Sequence, residues 1–189
     1  VLASRTQSAQ FSKLAFWQHS LGVAVASRIL AKMKMPHVAE EAYGAGMMHD
    51  VGLLVLDRFL PQDLDQCIIL ANHEGVPLHK AERHLLGFDH AQVGALLADR
   101  WGLTGAMKSA ITNHHDIDPS DPHREVVCLV SAANTLSHQC GFTNHMTKPS
   151  DQFEPIALSI IDMPEQQLDV IRTVVFQEVA KAQDAFQIK

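Results

Sequence analysis

His49 and Asp50 stand side by side in a stretch patterned as a helix, and they put an imidazole and a carboxylate into one dipeptide. Further imidazoles come from His19, His90 and the adjacent pair His114-His115, each in its own amphipathic segment. Imidazole and carboxylate together suit zinc, iron, manganese or nickel, and four to six such ligands can hold one divalent ion or a bridged pair. In that chemistry Asp50 is the candidate catalytic residue, because its carboxylate can bridge two ions. Two adjacent ions lower the pKa of a shared water, and hydroxide becomes available near neutrality to attack a phosphoryl group. Asn134 adds a neutral amide, which binds a hard cation more weakly than a carboxylate and cannot balance its charge.

Several helices must bring these residues together. From Phe11 to Met35 there is no proline and no strand-like alternation, and His19, Val23, Ala26 and Leu30 recur on one helical face. Pro36 closes this helix, and Val38 to Asp57 reads as the next. Its residues Ala42, Ala45, Gly46 and His49 share a face of small side chains that lets another backbone come close. A third helix runs near Asp63 to Glu74, and Pro77 sits as a first-turn proline for a fourth that stops at Gly87. Asp89 has the character of an N-cap, which puts His90 at the start of a helix carrying Val93, Gly94, Leu97 and Trp101 and ending at Gly102. Thr104 is the candidate cap of the next, on which Met107, Ile111 and His114 align. Asp116 to Pro122 is a loop. Glu125 to Cys140 is helical, with Val127, Val130, Ser131 and Asn134 on one stripe and Gly141 beyond its end. After a polar loop from Thr143 to Gln152, two helices near Glu154–Ile161 and Glu165–Phe186 close the chain, the second with Leu168, Ile171, Val175 and Val179 as its apolar positions. With no convincing strand and no internal repeat, the fold class is all-α, a helical bundle.

At 189 residues, with 47% hydrophobic and 19% charged residues, the chain is long enough for one good core, and a single domain over 1–189 is the expectation. The formal charge of -6 and the scatter of 15 Lys and Arg leave no basic stripe, which argues against duplex nucleic acid and anionic membrane as partners. Cys67, Cys128 and Cys140 form no paired spacing, as suits a reducing cytoplasm. Apolar runs such as Val126 to Ala133 fall far short of the roughly 20 residues a bilayer requires.

The remaining histidines, His37, His73, His79, His84, His123, His138 and His145, lie in polar contexts or off the traced stripes and read as surface residues. Glu82-Arg83 and Asp99-Arg100 read as solvated faces, and Trp17 and Trp101 as core. No P-loop lysine follows Gly44 to Gly52, Ser20 and Ser131 lack a nucleophile-elbow context, and no arginine or lysine lies on the inward faces.

The segments Phe16-Trp17-Gln18-His19-Ser20, Ala45-Gly46-Met47-Met48-His49-Asp50-Val51-Gly52, Leu85-Leu86-Gly87-Phe88-Asp89-His90-Ala91-Gln92-Val93-Gly94 and Asn113-His114-His115-Asp116 resemble the HD superfamily of metal-dependent phosphohydrolases. More narrowly they resemble its HDOD branch, the HD-related output domains of bacterial signalling proteins, from about Leu14 to beyond Leu168. The resemblance implies an HD-type helical bundle with His19, His49, Asp50, His90, His114, His115 and the Asn134 position as the metal site. Asn134 stands where the superfamily's closing aspartate is expected. The HDOD branch usually has a further helical portion before the first motif, so the resemblance implies the C-terminal part of a longer protein or an unusually short member, in keeping with the start at Val1. In the related cyclic di-GMP phosphodiesterase branch a lysine follows the HD pair and a Gly-Tyr-Pro loop follows the double histidine. Here Leu53 takes the first place and Asp116-Ile117-Asp118-Pro119 the second.

Three readings are therefore expected. The first is a signal-transduction module that binds a signalling protein or a small phosphorylated ligand and keeps a structural or sensory metal site. The second is a metal-dependent phosphohydrolase acting on a nucleotide or cyclic dinucleotide through hydroxide activated by two metals. A helical scaffold with no site chemistry is the third.

Overall fold

The computed structural model describes residues 7–144, 146–148 and 152–186, and among these residues all regular structure is helical. The first helix, α1 (Lys13–Lys34), starts where the Ser12 hydroxyl accepts the Ala15 N–H, and it presents His19, Val23, Ala26 and Leu30 inward as the spacing predicts. The chain ahead of it is tied down by two buried carboxylates. Asp57 accepts the Ser8 N–H at 2.8 Å, and Asp65 accepts those of Ala9 and Gln10 at 3.1 and 3.0 Å.

The expected single helix over Val38 to Asp57 is instead two. A short 3-10 turn, Pro36–Val38, leads into α2 (Ala39–Met48), and α3 (Val51–Phe59) starts anew after Asp50, whose ψ of 12° leaves the helical path. The break has a chemical consequence. On one continuous helix His49 and Asp50 would diverge by about 100°, whereas here both turn inward, His49 fully buried and Asp50 5% exposed.

Two glycines allow the close crossings around this break. A Cβ on Gly46 would lie 2.9 Å from the Ala24 Cα, so α2 rests directly on the α1 backbone. A Cβ on Gly52 would lie 1.9 Å from the His90 carbonyl oxygen, so α3 crosses the helix that begins at His90 with no room for any side chain.

Next come α4 (Pro61–Glu74) and α5 (Leu78–Leu86), closed by Gly75 and Gly87 in left-handed conformation at φ of 66° and 80°. The sixth helix, α6 (His90–Trp101), carries the expected cap as a full capping box. Asp89 accepts the Gln92 N–H while the Gln92 side chain accepts the Asp89 N–H. In α7 (Gly105–Asn113) the expected cap differs, because the Thr104 side chain bonds no helical N–H. The chain finishes with α8 (Arg124–Gln139), α9 (Pro155–Ile160) and α10 (Glu165–Phe186).

One core cluster joins α1, α2, α8 and α10 through Val23, Leu30, Ala42, Leu129, Leu136 and Val175, and a second gathers Phe16, Leu53, Leu56, Leu64 and Ile68. A small third cluster of Val51, Ala98 and Ile111 seals α3, α6 and α7 beneath the histidines. The tryptophans are not core: Trp17 is 41% and Trp101 55% exposed, since Phe16 takes the inward position in α1 and Trp101 is the last residue of α6. No helix among the described residues is long and apolar enough to cross a membrane.

Because backbone atoms of His90 and Gly94 would meet the new methyl, Gly52→Ala is expected to destabilise the protein by at least about 1–3 kcal/mol, the cost of overpacking a tight core. Urea unfolding of the variant beside wild type checks this.

Candidate metal centre

Asp50 is the hub onto which four separate helices aim imidazoles. His49 Nε2 lies 3.3 Å and His19 Nε2 3.9 Å from Asp50 Oδ2, while His90 and His114 each place Nε2 3.3 Å from Oδ1. The outer nitrogen of each ring is engaged. His19 Nδ1 donates to the Phe142 carbonyl at 2.9 Å, His49 Nδ1 to that of Gly46 at 2.8 Å, and His114 Nδ1 lies 3.1 Å from those of Ala110 and Ile111. His90 Nδ1 faces Glu82 Oε2 at 2.6 Å. A carbonyl can only accept, so each ring facing one carries its proton on Nδ1 and, when neutral, turns a bare Nε2 lone pair toward Asp50.

That arrangement leaves polar atoms stranded. Nε2 of His19, His49 and His114 finds no hydrogen-bond partner among the described residues, although all three are buried. A lone pair facing a carboxylate oxygen is repulsive unless a proton or a cation lies between them, and buried polar atoms are normally satisfied. The residues thus fit a metal ion. They fall into two groups, His19 with His49 and Asp50, and Asp50 with His90, His114 and His115, and within each group one ligand atom per residue lies within 4.8 Å of all the others.

The end of α7 brings His115 in. Helical continuation would turn it away from His114, but α7 stops at Asn113 and His115 swings back to place Nε2 2.9 Å from His90 Nε2. Asn134 lies on α8 at the wall of a cavity of about 450 Å³ that Asp50, His90, His114 and His115 also line. Its buried Oδ1 has no hydrogen-bond partner among the described residues.

Protonation follows the surroundings. Burial pushes the Asp50 pKa up, but His49, then His114 and His90, outweigh it and hold the carboxyl well below the usual range. Burial, aided by His49, lowers His19 to about 4. His114 is lowered by burial, and His115 is driven well down by burial and the neighbouring His114. His90 goes the other way: burial opposes its charge, but Glu82 and Asp50 raise its pKa well above the ordinary value.

Four residues read as surface belong here. His79 is buried and stacks on the His115 ring at 4.1 Å, and His138 is half-buried against the His19 ring at 4.4 Å. Glu82 is fully buried and accepts both the backbone N–H and the Nδ1–H of His90, at 2.9 and 2.6 Å. Arg83 is partly exposed but pairs with Asp89 and Asp116, so it is no free solvated charge. The periodicity carried a signal for two of them. His138 lies four residues past Asn134 on the same stripe, and Glu82 shares a helix face with Leu78 and Ala81. His37, His73 and His84 are exposed as expected, His123 is half-buried, and His145 lies outside the described residues. Lys80 and Lys148 line the cavity, so cations do reach the site.

The chain matches the HDOD domain over residues 1–117 and belongs to that family. Its fold is similar to that of an HDOD domain protein of unknown function from Geobacter sulfurreducens, at 26% identity and a TM-score of 0.81 over 95% of this chain and 65% of that one. It is also similar in fold to a protein of Marinobacter aquaeolei VT8 called a "putative signal transduction protein" (19% identity, TM-score 0.78, 98% of this chain and 41% of that one). A third, from Shewanella amazonensis SB2B, is called a "putative phosphohydrolase" (22%, 0.65, 93% and 62%). The chain thus spans less than two thirds of the length of each of these proteins.

The depressed histidines set a pH dependence for metal-free protein. Below about pH 6.5 the unfolded chain protonates its histidines, while His19 and His79 stay neutral to about 4 and His138, depressed chiefly by burial, to about 3. The raised His90 contributes stability that is already fully present below 6.5, so it adds nothing across this window. Stability is therefore expected to fall as pH drops from 6.5 to 4, which urea unfolding at stepped pH measures. A flat profile contradicts the burial of these rings as neutral groups.

Proposed function

We propose that this chain is a regulatory HDOD domain whose buried cluster binds a divalent transition metal, iron, zinc, manganese or nickel, as one or two ions. The observation that carries this reading is the set of unpartnered Nε2 atoms facing a buried Asp50. His19, His49, Asp50, His90, His114 and His115 are the proposed ligands, with Asn134 beside them. The outer hydrogen bonds to carbonyls and to Glu82 hold each ring in the orientation a ligand needs. A neutral Asn134 in place of a carboxylate favours structural or sensory binding over turnover. The cavity of about 450 Å³ is where a small phosphorylated ligand would meet the site, and a signalling protein is the proposed macromolecular partner. The family and the name of the Marinobacter neighbour support the signalling role.

A second reading, phosphoester hydrolysis, is favoured by Lys80 and Lys148, which place cations on the cavity wall where a phosphate can be received. A bound metal pair would supply a water of lowered pKa for that reaction. Asp50 would be the residue on which it depends, and its buried carboxylate is held ionised for the purpose.

Elemental mass spectrometry separates these readings from a plain scaffold. Native protein is expected to carry one or two equivalents of transition metal, and a folded His49→Ala, Asp50→Ala double variant none. Equal, empty results for both after reconstitution overturn the proposal. Metal-loaded protein that hydrolyses bis(p-nitrophenyl) phosphate, with the activity lost in Asp50→Ala, would move the assignment to the second reading.

A further inference from the structure

We propose that the two halves of the cluster are unequal: one divalent ion settles between Asp50, His90, His114 and His115, and Glu82 makes that half the preferred one. This rests on the metal reading above and concerns where the ion goes and what holds it there.

Charge decides between the halves. A dication taken out of water needs carboxylates near it. On one side of Asp50, His19 and His49 are backed among the described residues by the carbonyls of Phe142 and Gly46, and the neighbouring Asn134 is neutral. On the other, His90 is backed by Glu82, a fully buried carboxylate. Asp50 and Glu82 together neutralise one dication. A second would need a further buried carboxylate, and the other acids near the site are committed or solvated. Asp89 and Asp116 are paired with Arg83, and Glu154 is exposed at the cavity wall.

Glu82 also fixes geometry. Its Oε2 accepts two N–H groups of the same residue, His90, so ring and backbone are pinned together and Nε2 is presented toward Asp50 Oδ1. A carboxylate behind an imidazole makes the ring a stronger electron donor than a carbonyl does. The other oxygen, Oε1, is buried without a partner among the described residues, a second unbalanced feature that a cation nearby would relieve. Arg83, the next residue, pairs with Asp89, which precedes His90, and with Asp116, which follows His115. One turn of α5 therefore positions two of the four ligands from behind. Among the described residues no comparable device serves His19 or His49.

The test is cobalt(II) titration of the metal-stripped chain, read by visible absorption and by elemental mass spectrometry. Wild type is expected to take up one equivalent. Glu82→Gln, which keeps an acceptor for His90 and removes only the charge, is expected to weaken binding about 10–100-fold, with urea unfolding of the metal-free variant confirming that it folds. Should that variant not fold, His115→Ala and His19→Ala decide, and the first is expected to cost at least tenfold more affinity than the second. Two equivalents in wild type, unchanged affinity in folded Glu82→Gln, or a larger loss from His19→Ala would overturn the inference while leaving the metal reading intact. No uptake by folded wild type would remove the metal reading itself, and this inference with it.

Discussion

Asp50 carries a negative charge in the interior, 5% exposed, and a charge there must be compensated by its surroundings. Four helices meet around it to do so. His19 and His90 come from α1 and α6, His49 and His114 from the residues that cap the ends of α2 and α7, and no two of these four come from one element. Because these histidines are so dispersed along the chain, no unfolded chain can assemble them. Whatever binds the cluster binds the native state and stabilises it by that amount.

Convergence on one carboxylate demands that backbones come unusually close, and the small residues answer that demand. Gly46 lays α2 on α1 near His19 and His49, and Gly52 lays α3 against the first turn of α6 near His90. Gly94 faces Gly52 across the same crossing, where a Cβ would come within 2.7 Å of Ile111 on α7. The Val51, Ala98 and Ile111 cluster sits at this junction and closes the floor beneath the site. Spacing between helices is thus set by glycine and alanine, and the Nε2 positions follow from it.

Most of the helices and the inward face of each ligand were legible, because the 3.6-residue period is a local property of the chain. Gly87 and Gly102 ended helices as read, and Asp89 capped α6. The break at Asp50 was not legible. It is imposed by tertiary demand, since no proline or glycine marks it before Gly52, and apolar spacing continues across it. The same demand explains the misplaced residues. Glu82 and His79 looked solvated because charged and polar residues usually are, and only the position of α5 over His90 and His115 buries them. Trp17 failed in the opposite sense, its apolar surface left outside where Phe16 had already filled the core position.

The rings that stack behind the ligands bear on what the site is for. His138 lies flat on His19 and His79 flat on His115, and burial depresses the pKa of each. Neutral stacked imidazoles add polarisable bulk and exclude water without adding charge, so they leave the charge balance to Asp50 and Glu82. A hydrolytic centre must hold a nucleophile and also receive an anionic substrate, which calls for surplus positive charge facing the cavity. Here the cations at the cavity wall, Lys80 and Lys148, are exposed, while Arg83 spends its charge on Asp89 and Asp116. On the proposed metal reading, an ion beside Asp50 would tie α1, α2, α6 and α7 together, and its occupancy would be coupled directly to their packing. Under the proposed regulatory role that coupling would matter more than turnover.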